Sequence, residues 1–210
     1  MAEIILVRHG ETEWNVEEIY RGRIDINLDE VGIKQAKLLG EYLSNLELDA
    51  IYSSPLRRAL DTANIIAQYQ KVGIQVTNGL VDLDYGEWQG LPEREVKKLY
   101  QTLHNEWHTN PDRVKMPGGE SLADVRERAA GVVNDVISKY KGSVVLVSHR
   151  VVNKVLICFL LGLDNGHFWN IKQDVGGITT FSYEGGCFIL TRHNDTSHLK
   201  GMQKYLLSDF

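Results

Sequence analysis

Three short apolar runs in this chain end in cationic or imidazole side chains. Ile4-Ile5-Leu6-Val7 leads into Arg8-His9-Gly10, and Ala50-Ile51-Tyr52 leads into Ser53-Ser54-Pro55-Leu56-Arg57-Arg58. Val144-Val145-Leu146-Val147 leads into Ser148-His149-Arg150. A guanidinium fork matches the geometry of a tetrahedral oxyanion, and an imidazole serves as hydrogen-bond donor or nucleophile. Brought to one rim, these groups would form a phosphate pocket with a histidine placed to attack phosphorus. A single such junction reads as a solvated strand end; its repetition at three strand ends argues for a site.

The elements that must carry these residues follow from pattern. Ile4–Val7 and Val144–Val147 show no polar alternation, as expected of strands buried on both faces. Ala50–Tyr52 is a shorter strand. Asp29 can cap a helix whose apolar face carries Val31, Ala36, Leu39 and Leu43. Pro55 suits the first turn of a helix to about Tyr69, and Pro92 opens another to about Trp107. Ser121 with Asp124 forms a capping-box pattern for a helix to about Tyr140, and a further helix follows the last of the three strands, through Leu161. Between Leu80 and Leu91 the chain reads as a long irregular loop. Ile178–Tyr183 and Phe188–Thr191 flank Gly185-Gly186 as a closing antiparallel hairpin. Alternating strands and helices predict a three-layer α/β/α sandwich with a mostly parallel central sheet, formed by a single domain over 1–210. Such sheets bind ligands at the carboxyl ends of their strands, where the three junctions fall.

With those residues in view, the chain resembles the histidine phosphatase superfamily, the phosphoglycerate-mutase-like proteins. Leu6-Val7-Arg8-His9-Gly10-Glu11-Thr12-Glu13-Trp14-Asn15 looks like the family's opening motif. Ser54-Pro55-Leu56-Arg57-Arg58-Ala59 is similar to its second, in which the functional arginine precedes the alanine and is here Arg58. Tyr85-Gly86-Glu87-Trp88-Gln89-Gly90 resembles the loop after the family's acid, and Val147-Ser148-His149 the second-histidine motif. The resemblance implies that His9 is the phosphorylated nucleophile and that Arg8, Arg58 and His149 clamp the transferring group, with Asn15 as a further phosphate ligand. It implies a metal-independent phosphatase that needs no cofactor and acts on a small phosphorylated metabolite. A phosphoglycerate mutase using the same intermediate is the second expectation. No long insertion follows the acid motif to keep water off the phosphoenzyme, which favours hydrolysis. Phosphoryl transfer needs positioning and charge neutralisation above all, and that is the chemistry these side chains supply.

Departures from the pattern mark the open points. The family's glutamate, three residues before the aromatic–glycine pair, is Asp82 here, one methylene shorter. Asp82 is therefore the expected general acid, with Asp84 and Glu87 as alternatives or as solvated loop carboxylates. Arg150 stands where many relatives have glycine, and Arg21 where they have a Gln-Gly pair. Either can meet a further acidic group on the substrate, or face solvent, in a pocket walled by Arg21, Arg23, Trp88 and Arg150. Asp82-Leu83-Asp84 is misplaced for a haloacid-dehalogenase-type phosphatase, and Cys187 and Arg192 stand one residue too close for a cysteine phosphatase loop. Cys187 is expected as a small buried hydrophobe. His104 and His108 have the i, i+4 spacing of metal ligands, but Glu106 is misplaced for a zincin and no third ligand is evident. They are expected to be surface histidines without a metal.

Composition narrows the classes. The 210 residues carry 23 Lys+Arg against 28 Asp+Glu, a formal charge of −5, which argues against nucleic-acid binding through overall electrostatics. Two cysteines cannot form a disulfide framework. The N-terminus lacks a basic segment followed by a long apolar one, and Val151–Leu163 is too short and too interrupted to span a bilayer. A soluble cytoplasmic protein without membrane association is expected, and a homodimer is left open.

Overall fold

The computed structural model describes residues 2–205, so the expected single domain reaches beyond the described residues at Met1 and over 206–210. Six strands form one sheet: β1 (Ala2–Arg8), β2 (Leu48–Ser53), β3 (Ile74–Val76), β4 (Ser143–Ser148), β5 (Ile178–Glu184) and β6 (Cys187–Asp195). Their order is β3-β2-β4-β1-β5-β6. β3, β2, β4 and β1 are mutually parallel, whereas β5 runs antiparallel to β1 and β6 antiparallel to β5. The sheet is thus mostly parallel with an antiparallel hairpin at one edge.

Strand periodicity divides the core in two. Ile4, Leu6, Ala50, Tyr52, Val144 and Leu146 face one layer, with α6 (Leu122–Lys139) and α7 (Arg150–Leu160). Their chain neighbours Ile5, Val7, Ile51, Val145 and Val147 face the other, with α2 (Glu30–Leu43) and α3 (Arg57–Ala67), while α1 (Glu13–Val16) is a single turn after β1. The interior runs Ile4–Val7 and Val144–Val147 are apolar at every position because both faces of these strands are covered. Asp29 caps α2 by accepting from Gly32 N at 2.7 Å, and Ser121 and Asp124 form the expected reciprocal cap of α6.

Several expectations are corrected. α3 begins at Arg57 with Leu56 as its N-cap, so Pro55 belongs to the preceding turn. The helix expected over 92–107 is two, α4 (Glu93–Leu99) and α5 (Gln101–Thr109), with a corner at Tyr100, whose φ of −125° and ψ of 39° leave the helical region. Packing makes that corner: the Tyr100 hydroxyl donates to Glu87 at 2.8 Å, and the His104 ring lies 6.2 Å from that of Trp88. The three-residue edge strand β3 is too short to show a period. Cys187 is exposed, because it opens β6 on the outer edge of the sheet. Among the described residues, no helix is long and apolar enough to cross a membrane.

Candidate active site

Register brings the three junctions together. β4 lies between β1 and β2, with Arg8 opposite Ser148 and Ser53 opposite Val147. His149 therefore emerges between Arg8-His9 on one side and Ser54–Arg58 on the other. α3 and α7 both start at this rim, and their N-terminal N–H groups add partial positive charge.

His9 and His149 are buried, with ring centroids 5.2 Å apart at an interplanar angle of 60°. His9 Nδ1 lies 2.6 Å from the carbonyl of Gly10. A carbonyl only accepts, so Nδ1 carries the proton and the Nε2 lone pair is left bare for attack. The loop is fixed to allow this: Gly10 N donates to Thr62 Oγ1 at 3.1 Å, and a Cβ on Gly10 would come 2.5 Å from the carbonyl oxygen of Gly32. Only glycine permits that approach to α2. His149 Nε2 lies 2.7 Å from Ser54 Oγ, and its Nδ1 lies 3.7 Å from Asp82.

The guanidiniums are held by main-chain carbonyls. Arg8 donates to Gln173 O at 2.7 Å, and Arg58 to Gly22 O at 2.7 Å and Ile24 O at 3.0 Å. Both side chains are fully buried. Burial lowers the pKa of both histidines well below the ordinary imidazole value, and the surrounding arginines, Arg58 foremost, push in the same direction. Both imidazoles are therefore neutral at pH 7 within a positive cage. That environment suits a dianionic phosphoryl group and repels metal cations.

Asp82 reaches the cage despite its shorter side chain, with Oδ2 3.1 Å from the Arg58 guanidinium. Its backbone is fixed from outside the motifs: Arg128 donates to Gly79 O, Val81 O and Asp82 O while paired with Glu120. Asp84 instead accepts from Gly86 N at 2.9 Å, capping a turn whose φ of +52° favours glycine, and Glu87 is occupied by Tyr100. Neither alternative carboxylate points into the cage. Asn15 is buried, its amide oxygen accepting from Thr12 N at 3.0 Å and Thr12 Oγ1 at 2.8 Å.

A narrow cleft beside Asp82 is lined by Tyr20, Arg21, Tyr85 and Arg150. Arg21 and Arg150 are buried at 8% and 6% exposure and do not project into solvent. The other two expected walls are elsewhere. Trp88 lies in the core against Tyr20, and Arg23 pairs with Glu120 at 2.8 Å on the surface. The sequence reading gave no role to Ser54, Tyr20, Tyr85, Arg128 and Gln173, although Ser54 and Tyr85 lie within the motifs quoted above.

Comparison with known proteins identifies the family. Residues 4–196 match the model of the histidine phosphatase superfamily (branch 1). The chain belongs to that family. It is 38% identical over 200 residues to phosphoserine phosphatase 1 of Hydrogenobacter thermophilus, covering 95% of each chain. Among solved structures, YhfR of Bacillus stearothermophilus superposes with a TM-score of 0.91 at 31% identity, over 95% of this chain and 100% of that one. Phosphoserine phosphatase from Entamoeba histolytica, a mutant bound to phosphoserine, superposes with a TM-score of 0.85 at 31% identity, also over 95% and 100%.

His104 and His108 depart from expectation. His104 is buried, and a third donor, Glu93, stands beside the pair from α4.

Proposed function

We propose that this chain is a phosphatase for small, carboxylate-bearing phosphomonoesters, acting through phosphohistidine at His9. The P–O ester bond breaks as His9 Nε2 bonds to phosphorus, with Arg8 and Arg58 neutralising the equatorial oxygens, His149 hydrogen-bonding to them and Asn15 as a further phosphate ligand. Asp82 gives its proton to the departing alkoxide. Water then attacks the phosphohistidine and returns a proton to Asp82, releasing inorganic phosphate and restoring His9.

The substrate class rests on one observation: Arg21 and Arg150 are buried in the walls of the cleft beside Asp82. Tyr85 and the Trp169 ring, 5.9 Å from the Arg150 guanidinium, hold that side chain in place. A phosphoester with a carboxylate a few bonds from phosphorus would meet these cations while its phosphate enters the cage. The phosphoserine named for two relatives has that form.

The test is a comparison of kcat/KM for phosphoserine and 3-phosphoglycerate with phosphoethanolamine, which lacks the carboxylate. One charge-assisted hydrogen bond contributes about 1.5–3 kcal/mol, so the carboxylates should lead by roughly ten- to a hundredfold. Arg150→Gln should erase most of that lead and leave p-nitrophenyl phosphate hydrolysis nearly intact. Equal rates with phosphoethanolamine would overturn the substrate class. Isomerisation of 3-phosphoglycerate outpacing phosphate release would turn the reading to a mutase.

A further inference from the structure

Outside the phosphoryl site, the α4–α5 corner gathers three metal-ligating side chains. His104 Nε2 lies 3.3 Å from Glu93 Oε1, and His108 Nε2 lies 4.0 Å from the same oxygen. One donor atom from each residue falls within 4.8 Å of the others. The histidines sit one helical turn apart on α5 with ring centroids 4.6 Å apart, and Glu93 reaches them from the first turn of α4. His108 Nε2 is buried and, among the described residues, makes no hydrogen bond. A buried ring nitrogen facing a carboxylate just beyond hydrogen-bond reach leaves a gap that an ion can fill.

We propose that Glu93, His104 and His108 bind one divalent transition ion of the zinc class. Metal–nitrogen bonds of about 2.0–2.1 Å in tetrahedral array place donor atoms about 3.3 Å apart. The His104–Glu93 pair already has that spacing, while His108, 4.0 Å from Glu93 and within 4.8 Å of the His104 donor, must move closer to both, by about 1.5 Å at most. Two imidazoles and one carboxylate select zinc, cobalt or nickel over magnesium or calcium, which prefer all-oxygen shells. A fourth position remains for water.

The ion braces the fold and takes no part in phosphoryl transfer. It ties the start of α4 to the middle of α5 across the Tyr100 corner. The far face of His108 stacks on Trp169 at 4.7 Å and 22°, and Trp169 in turn carries the Arg150 guanidinium. The site is therefore two side chains removed from the substrate cleft.

The test titrates chelator-treated full-length protein with Co2+ and then displaces it with Zn2+. The expected result is one equivalent per chain, with the intense visible absorption of four- or five-coordinate cobalt, bleached by zinc. Removing even a supporting residue outside the ligand set costs 10–100-fold in metal affinity, so loss of a ligand in His108→Ala should cost about a hundredfold or more. His108 is part-exposed, so this variant should fold, and a circular dichroism spectrum checks that it does. His9→Ala should bind cobalt like the parent, which separates this site from the histidines of the cage. Absence of a stoichiometric cobalt spectrum, or one unchanged in folded His108→Ala, overturns the proposal.

Discussion

Two histidine pairs occupy this molecule, and the nearest charged side chains to them differ in sign. His9 and His149 lie buried among guanidiniums; burial first and then those charges keep both rings neutral, and the cage leaves a hole for an anion. His104 and His108 face Glu93, which leaves a hole for a cation. The same side chain thus serves opposite ligands, and its neighbours, brought together by the fold, decide which. The supporting contacts differ as well. Main-chain carbonyls from distant loops fix Arg8 and Arg58, whereas the corner pair depends on one helix turn and one carboxylate. The cage is built on strand ends, and the corner on a helix break packed against Glu87 and Trp88.

Removing the nucleophile breaks the comparison most severely. His9→Ala should lower p-nitrophenyl phosphate turnover by about 10^5-fold or more, the scale seen when a covalent nucleophile is lost. A rapid-quench experiment with labelled substrate should trap phosphoprotein in the parent and none in the variant. Persistent turnover would show that the cage works by some other group. His108→Ala, in metal-free buffer, should keep turnover within about threefold of the parent, because the corner contributes no reacting atom.

Next in size is the acid. Asp82→Asn should slow alkyl phosphates by about 10^2–10^4-fold, the usual contribution of a general acid, and p-nitrophenyl phosphate far less, since its leaving group needs little protonation. Asp84→Asn keeps an oxygen to accept from Gly86 N and loses only the ion pair with Arg23 at 3.6 Å. If Asp84→Asn instead shows the leaving-group dependence, the proton comes from the other carboxylate and Asp82 serves only to hold Arg58.

The two regions differ in how legible they are in the sequence. Arg8, His9 and His149 stand at the ends of apolar strands, so the β period and the rule of carboxyl-end binding point them to one rim, whereas Arg58 is singled out from Arg57 by resemblance to the family's second motif. Asp82 is harder to single out, because three carboxylates share an irregular loop; Arg128, 46 residues away, orients that loop. The corner misleads a local reading because its third donor does not lie within the His104–His108 segment. Glu93 comes from the other side of a break at Tyr100, and nothing near Tyr100 in the chain marks the break, which depends on Glu87 and Trp88. Long-range packing, invisible to a local period, also removes Trp88 and Arg23 from the cleft and places Arg21 and Arg150 there.

The smallest effect separates the two pairs by pH. An unfolded imidazole titrates near 6.5, and the folded values of His9 and His149 lie well below that, chiefly through burial and then Arg58. Between the folded and unfolded values, the unfolded chain binds more protons, so stability rises with pH across that window. The contribution is complete above about pH 6.5 and is lost as pH falls, by about 1.4 kcal/mol per pH unit for each ring. Urea denaturation in phosphate-free buffer, compared at pH 7.5 and 5.5, should therefore show a smaller loss for His149→Asn than for the parent. The difference should approach the share of one ring. For His108, burial and then the neighbouring His104 lower the pKa, with Arg150 and Lys97 in the same direction and Glu93 against them; the ring is part-exposed, so His108→Ala should change the slope less. Equal slopes in parent and His149→Asn would mean that the cage accommodates protonated imidazole, and the account of a neutral nucleophile among cations would fail with it.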